Sequence, residues 1–168
     1  PGNATLEATA GPGGGLNPAL LETARRAGAS VLDALSAGRT FRRIVGQPTL
    51  ENLVAVTQAI GGSTNLVLHL GALATELGLR LDLEDWDRIG RRTPLVGKFR
   101  PAGRRTVSDL GRAGGVSALL RILAPLVDLD LPAAYGGTLA AVAASAEWQD
   151  RDVPRPLDEP LAPEGGIA

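Results

Sequence analysis

The 168-residue sequence contains no cysteine, a single histidine, His69, and a single lysine, Lys98. Without thiolates the chain cannot by itself hold an iron–sulfur cluster or a conventional zinc site, and disulfides are excluded. Aromatic residues make up only 3%. A core must therefore be built from Leu, Val, Ile and Ala, which suits helices packed on a sheet. The net charge is −1, which leaves no basic field for a phosphate backbone or an anionic lipid, so neither nucleic acid nor a membrane is an expected partner. No apolar run approaches the roughly 20 residues of a membrane span. The opening Pro1-Gly2-Asn3 lacks the charged and apolar regions of a signal peptide and reads as a cut inside a longer chain.

What is present is 44% hydrophobic content in a chain long enough to bury a core. Residues 1–16, centred on Gly11-Pro12-Gly13-Gly14-Gly15, read as a mobile loop; the run lacks the preceding strand and glycine spacing of a dinucleotide fingerprint. Asn17-Pro18 is a helix start, and Leu20, Leu21, Ala24, Ala27, Val31, Leu32 and Leu35 continue it at helical spacing to a stop near Gly38. A second helix follows Pro48 and stops at Gly61-Gly62. Ser63 is expected to cap a third, strongly apolar and buried helix that ends at Gly78. Leu79, Leu81 and Leu83 alternate with polar residues, Glu84 to Arg92 reads as a brief helix, and Leu95-Val96 as a short strand before a turn at Pro101-Ala102-Gly103. Ser108 is expected to cap a further helix ending at Gly114-Gly115, with Val116 to Leu123 and Thr138 to Ala146 also helical. Pro154, Pro156, Pro160 and Pro163 make residues 151–168 an extended connector and not a packed element. The fold class is α/β, a helix-rich layered domain with a few short parallel strands, incomplete without the rest of a longer parent.

The sharpest local feature is Ile60-Gly61-Gly62-Ser63-Thr64-Asn65 running into an apolar helix. Two glycines permit a tight turn, and the N–H groups of a helix start, with the Ser63 and Thr64 hydroxyls, are suited to a carboxylate or phosphate. Asn65 and His69 are four apart and share a helix face. The other reading is a helix cap plus a histidine satisfied in a core, and the residues alone leave both open. A phosphate-binding P-loop is excluded because no Lys precedes the Ser or Thr. The acidic cluster Asp82, Glu84, Asp85 and Asp87 lacks the glycine and terminal glutamate of a calcium loop and reads as a helix start. Arg25-Arg26 and Arg104-Arg105 read as solvated surface. One histidine makes no catalytic triad.

Gly61-Gly62-Ser63-Thr64-Asn65 with Leu68-His69-Leu70 resembles a segment of the dihydroxy-acid and phosphogluconate (sugar-acid) dehydratases. In the same order follow Asp85-Trp86-Asp87-Arg88-Ile89, Arg92-Thr93-Pro94, Arg100-Pro101-Ala102-Gly103, Asp109-Leu110 with Arg112-Ala113-Gly114-Gly115-Val116, Thr138-Leu139, Arg155-Pro156-Leu157-Asp158 and Pro163-Glu164-Gly165-Gly166-Ile167-Ala168. Each alone is weak, and their common register over residues 50–168 carries the resemblance. Ser117 departs from a usual proline, and Tyr135-Gly136-Gly137-Thr138 from a threonine-glycine-basic-threonine stretch. Asp152-Val153 and Glu164-Gly165-Gly166 lean toward the sugar-acid branch.

The resemblance implies elimination of water from a 2,3-dihydroxy carboxylate to give a 2-keto acid, with an iron–sulfur cluster and magnesium in a cytoplasmic, homodimeric parent. It implies that the cluster cysteines and the magnesium-binding groups of the first domain precede Pro1 and that a catalytic serine follows Ala168 in the second domain. This segment would then hold no catalytic or metal-binding residue and bind no cofactor. Residues 1–150 would be the later part of the first domain and residues 151–168 a connector to a second. Gly61, Gly62, Ser63, Thr64, Asn65 and His69 are the candidates for lining the cleft that takes the small carboxylic-acid substrate. The alternative is a non-catalytic α/β binding or assembly module on the same scaffold.

Overall fold

Leu50, Val54, Ala55 and Ala59 sit at helical spacing behind Pro48, and the helix they form is the axis of the molecule. The structure, a computed structural model, describes residues 17–167; the glycine-rich stretch 1–16, expected to be a mobile loop, and Ala168 lie outside the described residues. Eight helices occur among those described: α1 (Pro18–Ser36), α2 (Phe41–Ile44), α3 (Gln47–Ala59), α4 (Asn65–Leu77), α5 (Leu83–Arg92), α6 (Val107–Arg112), α7 (Gly115–Ile122) and α8 (Leu139–Ala144).

Helix α3 is buried on most of its circumference. On one side Val54 and Ala55 pack with Leu70 of α4 and with Trp86 and Ile89 of α5. On the other, Ala59 meets Val96, Leu119 of α7 and Leu123 just after that helix. Ile60 bridges to a third cluster of Phe99, Leu110, Ala113 and Val153. Polar side chains on α3 are buried with partners. The Asn52 amide donates to the Asp128 carbonyl at 2.7 Å and accepts from its N–H at 2.9 Å. Gln58 donates to the Trp86 carbonyl at 3.1 Å. Both satisfy backbone groups that would be costly to leave unpaired.

Helix starts follow side-chain chemistry. Asn17 Oδ1 accepts from the Ala19 N–H at 3.0 Å, with Pro18 in the first turn as expected. The start of α6 lies two residues before the expected Ser108. Thr106 is the cap because Asp109 stands three residues on and completes a reciprocal pair, whereas Ser108 has Gly111 there. Asp109 accepts from the Thr106 N–H at 2.6 Å and hydroxyl at 2.9 Å, and pairs with Arg112. These Thr106 bonds, then Arg112, hold the Asp109 carboxyl below the usual carboxylate range. Because its pKa is lower in the folded chain, the ionised group stabilises above the unfolded value of about 4 and stops doing so as pH falls through the lowered one. The stability difference between wild type and Asp109→Asn, followed by denaturation against pH, should therefore be constant near neutrality and narrow below about pH 4. A difference unchanged into strong acid would refute this.

The expected parallel strands are not found. Among the described residues β-pairing is limited to isolated bridges, Leu95 with Ala162 and Pro132 with Thr138 antiparallel and Phe99 with Arg105 parallel. The alternating Leu79, Leu81 and Leu83 are interrupted, since Gly78 ends α4 in the left-handed region and Asp82 already caps α5. Too few residues remain between these signals to pair as a strand.

The proline-rich tail is also packed, contrary to the expected loose connector. The Arg155 N–H donates to the Val96 carbonyl at 2.8 Å, Leu161 to Leu95 at 2.7 Å, Gly165 to Gly90 at 3.0 Å and Gly166 to Gln58 at 3.2 Å. Val153 and Pro154 are buried. Prolines remove donors, but the remaining N–H groups find carbonyls along 95–96 and at α3 and α5. Gly165 is required there, because a Cβ would lie 2.7 Å from Gln58 Cβ and 2.8 Å from the Thr93 carbonyl oxygen.

Candidate functional site

The Gly61-Gly62 turn is built by the end of α3. Gly61 has φ +61°, and the Gly62 N–H donates to the Thr57 carbonyl at 2.9 Å. A Cβ on Gly62 would meet Thr57 Cγ2 at 2.6 Å. One glycine is needed for its dihedral and the other for close approach. The Val96 and Gly97 N–H groups both donate to the Ala59 carbonyl, at 2.7 and 3.1 Å, so the segment that follows Pro94 is tied against this turn.

Helix α4 then starts at Asn65. Thr64 is already helical, with φ −56° and ψ −23°, and makes no capping bond. The expected Ser63 cap is realised in altered form, its hydroxyl accepting from the Asn65 N–H at 3.3 Å. Gly61 and Gly62 are half-buried, while Ser63, Thr64, Asn65 and His69 are all exposed. The side chains of Thr64, Asn65 and His69 have no hydrogen-bond partner among the described residues.

The expectation that α4 is a buried element is corrected. Only Leu70 and Ala74 are buried, and Leu68 is 73% exposed. Asn65 and His69 therefore form a polar stripe on an open face. Helix α1 is likewise apolar and open, with Leu21, Val31, Leu32 and Leu35 exposed and only Thr23 buried.

The acidic cluster resolves into helix structure. Asp82 caps α5 by accepting from the Asp85 N–H at 3.0 Å, and it pairs with Arg80; Asp85 pairs with Arg88 and Asp87 with Arg91. The Arg80 hydrogen bonds, then the Asp85 N–H, hold the Asp82 carboxyl below its ordinary value. No group of three or more His, Cys, Asp or Glu side chains that could hold a metal occurs among the described residues. With no cysteine anywhere in the sequence, the residues present do not fit an iron–sulfur cluster held by thiolates. No helix among the described residues is long and apolar enough to cross a membrane.

Two of the open concavities elsewhere stand out by their lining. One of about 790 Å³ runs between α7 and α8, lined by Val116, Leu120, Leu139, Val142 and Tyr135, with Arg26 of α1 at its edge. The other, about 410 Å³, is lined by Lys98, Arg104, Arg105 and Arg155. The sequence reading missed the second because Arg155 is distant in the chain and Arg104-Arg105 looks like ordinary solvated surface; its signal was four cations within residues 98–105.

Residues 1–142 match the family model described as dihydroxy-acid/6-phosphogluconate dehydratase N-terminal. The chain is similar to the dihydroxy-acid dehydratase of Ignicoccus hospitalis, 42% identical over 163 residues, covering 94% of this chain and 30% of the relative. It is 40% identical over 152 residues to the dihydroxy-acid dehydratase of Methanothrix thermoacetophila, covering 88% and 28%. For that of Nitratidesulfovibrio vulgaris the identity is 39% over 165 residues, covering 94% and 30%. The chain thus spans about 30% of the length of these curated relatives. On this evidence it belongs to the dihydroxy-acid/6-phosphogluconate dehydratase family of hydro-lyases, within the region the family model describes as N-terminal.

Proposed function

We propose that this chain is part of a hydro-lyase that converts a 2,3-dihydroxy carboxylate into a 2-keto acid. In that reaction the C2 proton and the C3 hydroxyl leave together as water, and the resulting enol becomes the ketone. The observation that carries the reading is the match to the family model over residues 1–142, which include the glycine-glycine-serine-threonine-asparagine turn. The relatives are dihydroxy-acid dehydratases, which favours a dihydroxy acid over a sugar acid. The resemblance carries with it an iron–sulfur cluster, magnesium, a cytoplasmic setting and a homo-oligomeric parent. Since the sequence holds no thiolate for a cluster and the described residues no group of three or more metal ligands, no step through either is assigned to this chain.

What the chain supplies on this reading is a binding wall. The Gly61-Gly62 turn and the Ser63 and Thr64 hydroxyls would face a carboxylate or hydroxyl of the substrate. Asn65 and His69, side by side on α4, would orient a substrate oxygen, a neutral imidazole donating from one nitrogen and accepting at the other. Residues 1–150 would complete the first domain and residues 151–168 lead into the second. The open apolar faces of α1 and α4 suit burial against the remainder of such an assembly.

The isolated chain is expected to bind no iron and to form no keto acid, whereas the full-length parent does both. Iron content and keto-acid formation from several dihydroxy acids measure this. Stoichiometric iron or turnover by the isolated chain, or an inactive metal-loaded parent, would count against the reading.

A further inference from the structure

Charge pairing in this chain is uneven. Arg25 and Arg26 pair with Glu22, Arg42 with Glu76, Arg80 with Asp82, Arg88 and Arg92 with Glu51, Arg91 with Asp87, and Arg112 with Asp109. Nine cations, Arg39, Arg43, Lys98, Arg100, Arg104, Arg105, Arg121, Arg151 and Arg155, have no such carboxylate partner among the described residues. Four of these nine, Lys98, Arg104, Arg105 and Arg155, converge on the concavity of about 410 Å³, whose floor includes buried Phe99 and Val153 and whose one acidic side chain is Asp152.

The backbone forces these like charges together. The Arg100 N–H donates to the Arg105 carbonyl at 2.8 Å and the Gly103 N–H to the Phe99 carbonyl at 2.9 Å, folding residues 98–105 back on themselves. Gly103 approaches so closely that a Cβ would lie 2.2 Å from the Lys98 carbonyl oxygen. Arg155 is delivered by its own N–H bond to Val96. The loop is thus preorganised at the cost of mutual repulsion, which a bound anion would relieve. Lys98 also packs beside the Gly61 turn, its Cγ lying 3.9 Å from where a Cβ on Gly61 would stand.

We propose that Lys98, Arg104, Arg105 and Arg155 form a binding site for a doubly charged oxyanion, the class that inorganic phosphate represents. Guanidinium forks and an ammonium suit such an oxyanion by charge-assisted hydrogen bonds. The anion has two sources, a charged group carried on the substrate or free phosphate acting as an effector. The site stands independently of the role given above to Asn65 and His69.

The test is calorimetric titration of the full-length parent with inorganic phosphate. Wild type is expected to bind, and Arg104→Gln/Arg105→Gln to weaken binding about tenfold or more. Both side chains are exposed, so melting should not change. Arg155→Gln, made separately, should weaken binding in the same direction. Phosphate inhibition competitive with substrate assigns the site to a substrate group, and non-competitive inhibition assigns it to an effector. Absence of phosphate binding by wild type, or equal affinity in the double variant, overturns the proposal.

Discussion

Replacing Asn65 or His69 with alanine in the full-length parent is expected to lower turnover by about a hundredfold while leaving the melting temperature unchanged. Both residues project from the first turns of α4 onto an exposed face, and their side chains bond to nothing else among the described residues. Their removal should cost the fold no more than about 0.5 kcal/mol, the usual effect of a surface change. A group that orients a reacting oxygen acts where geometry sets the rate, so its loss falls on turnover. His69→Gln, which keeps a donor and an acceptor, should recover part of the activity. If the alanine variants instead melt early and retain full activity per folded molecule, the turn is only a cap and a packing contact.

Gly114→Ala is expected to destabilise the parent by about 3–5 kcal/mol, summing backbone strain and overpacking. Gly114 has φ +118° at the junction of α6 and α7, and a Cβ there would lie 2.2 Å from the Glu147 carbonyl oxygen and 2.7 Å from Ala118 Cβ. Neither neighbour can yield easily, since one is backbone and the other belongs to a fully buried residue. Against a total stability of roughly 5–15 kcal/mol, such a loss should drop the melting temperature sharply or prevent expression. Gly71→Ala is the matched control. It sits inside α4 with nothing within 4 Å of an added Cβ, and should raise stability by about 0.5–1 kcal/mol through helix propensity. Equal melting of the two variants would contradict the steric argument.

All the described helices except α2 could be read from the residues to within a few positions at either end, because their signals are local. Asn17 with Pro18, Gly78 in the left-handed region and Thr138 before the alanine run each act through bonds to residues two to four away. Where two local signals compete, the reading slipped: Ser108 was expected to cap α6, and the reciprocal pair of Thr106 and Asp109 outweighed it. The four-residue helix α2 carried no periodic pattern to detect.

Sequence alone determined the family, the glycine turn and the absence of thiolate ligands, since each is a property of residue identity and spacing. The tertiary structure decided what lies next to what. It brought Gly166 onto Gln58 and Arg155 onto Val96, contacts between residues 59 or more positions apart that no local rule anticipates. It also left α1 and most of α4 open, although their patterns are those of buried helices. Periodicity states that a face is apolar; only the arrangement of the remaining chain decides whether anything covers it.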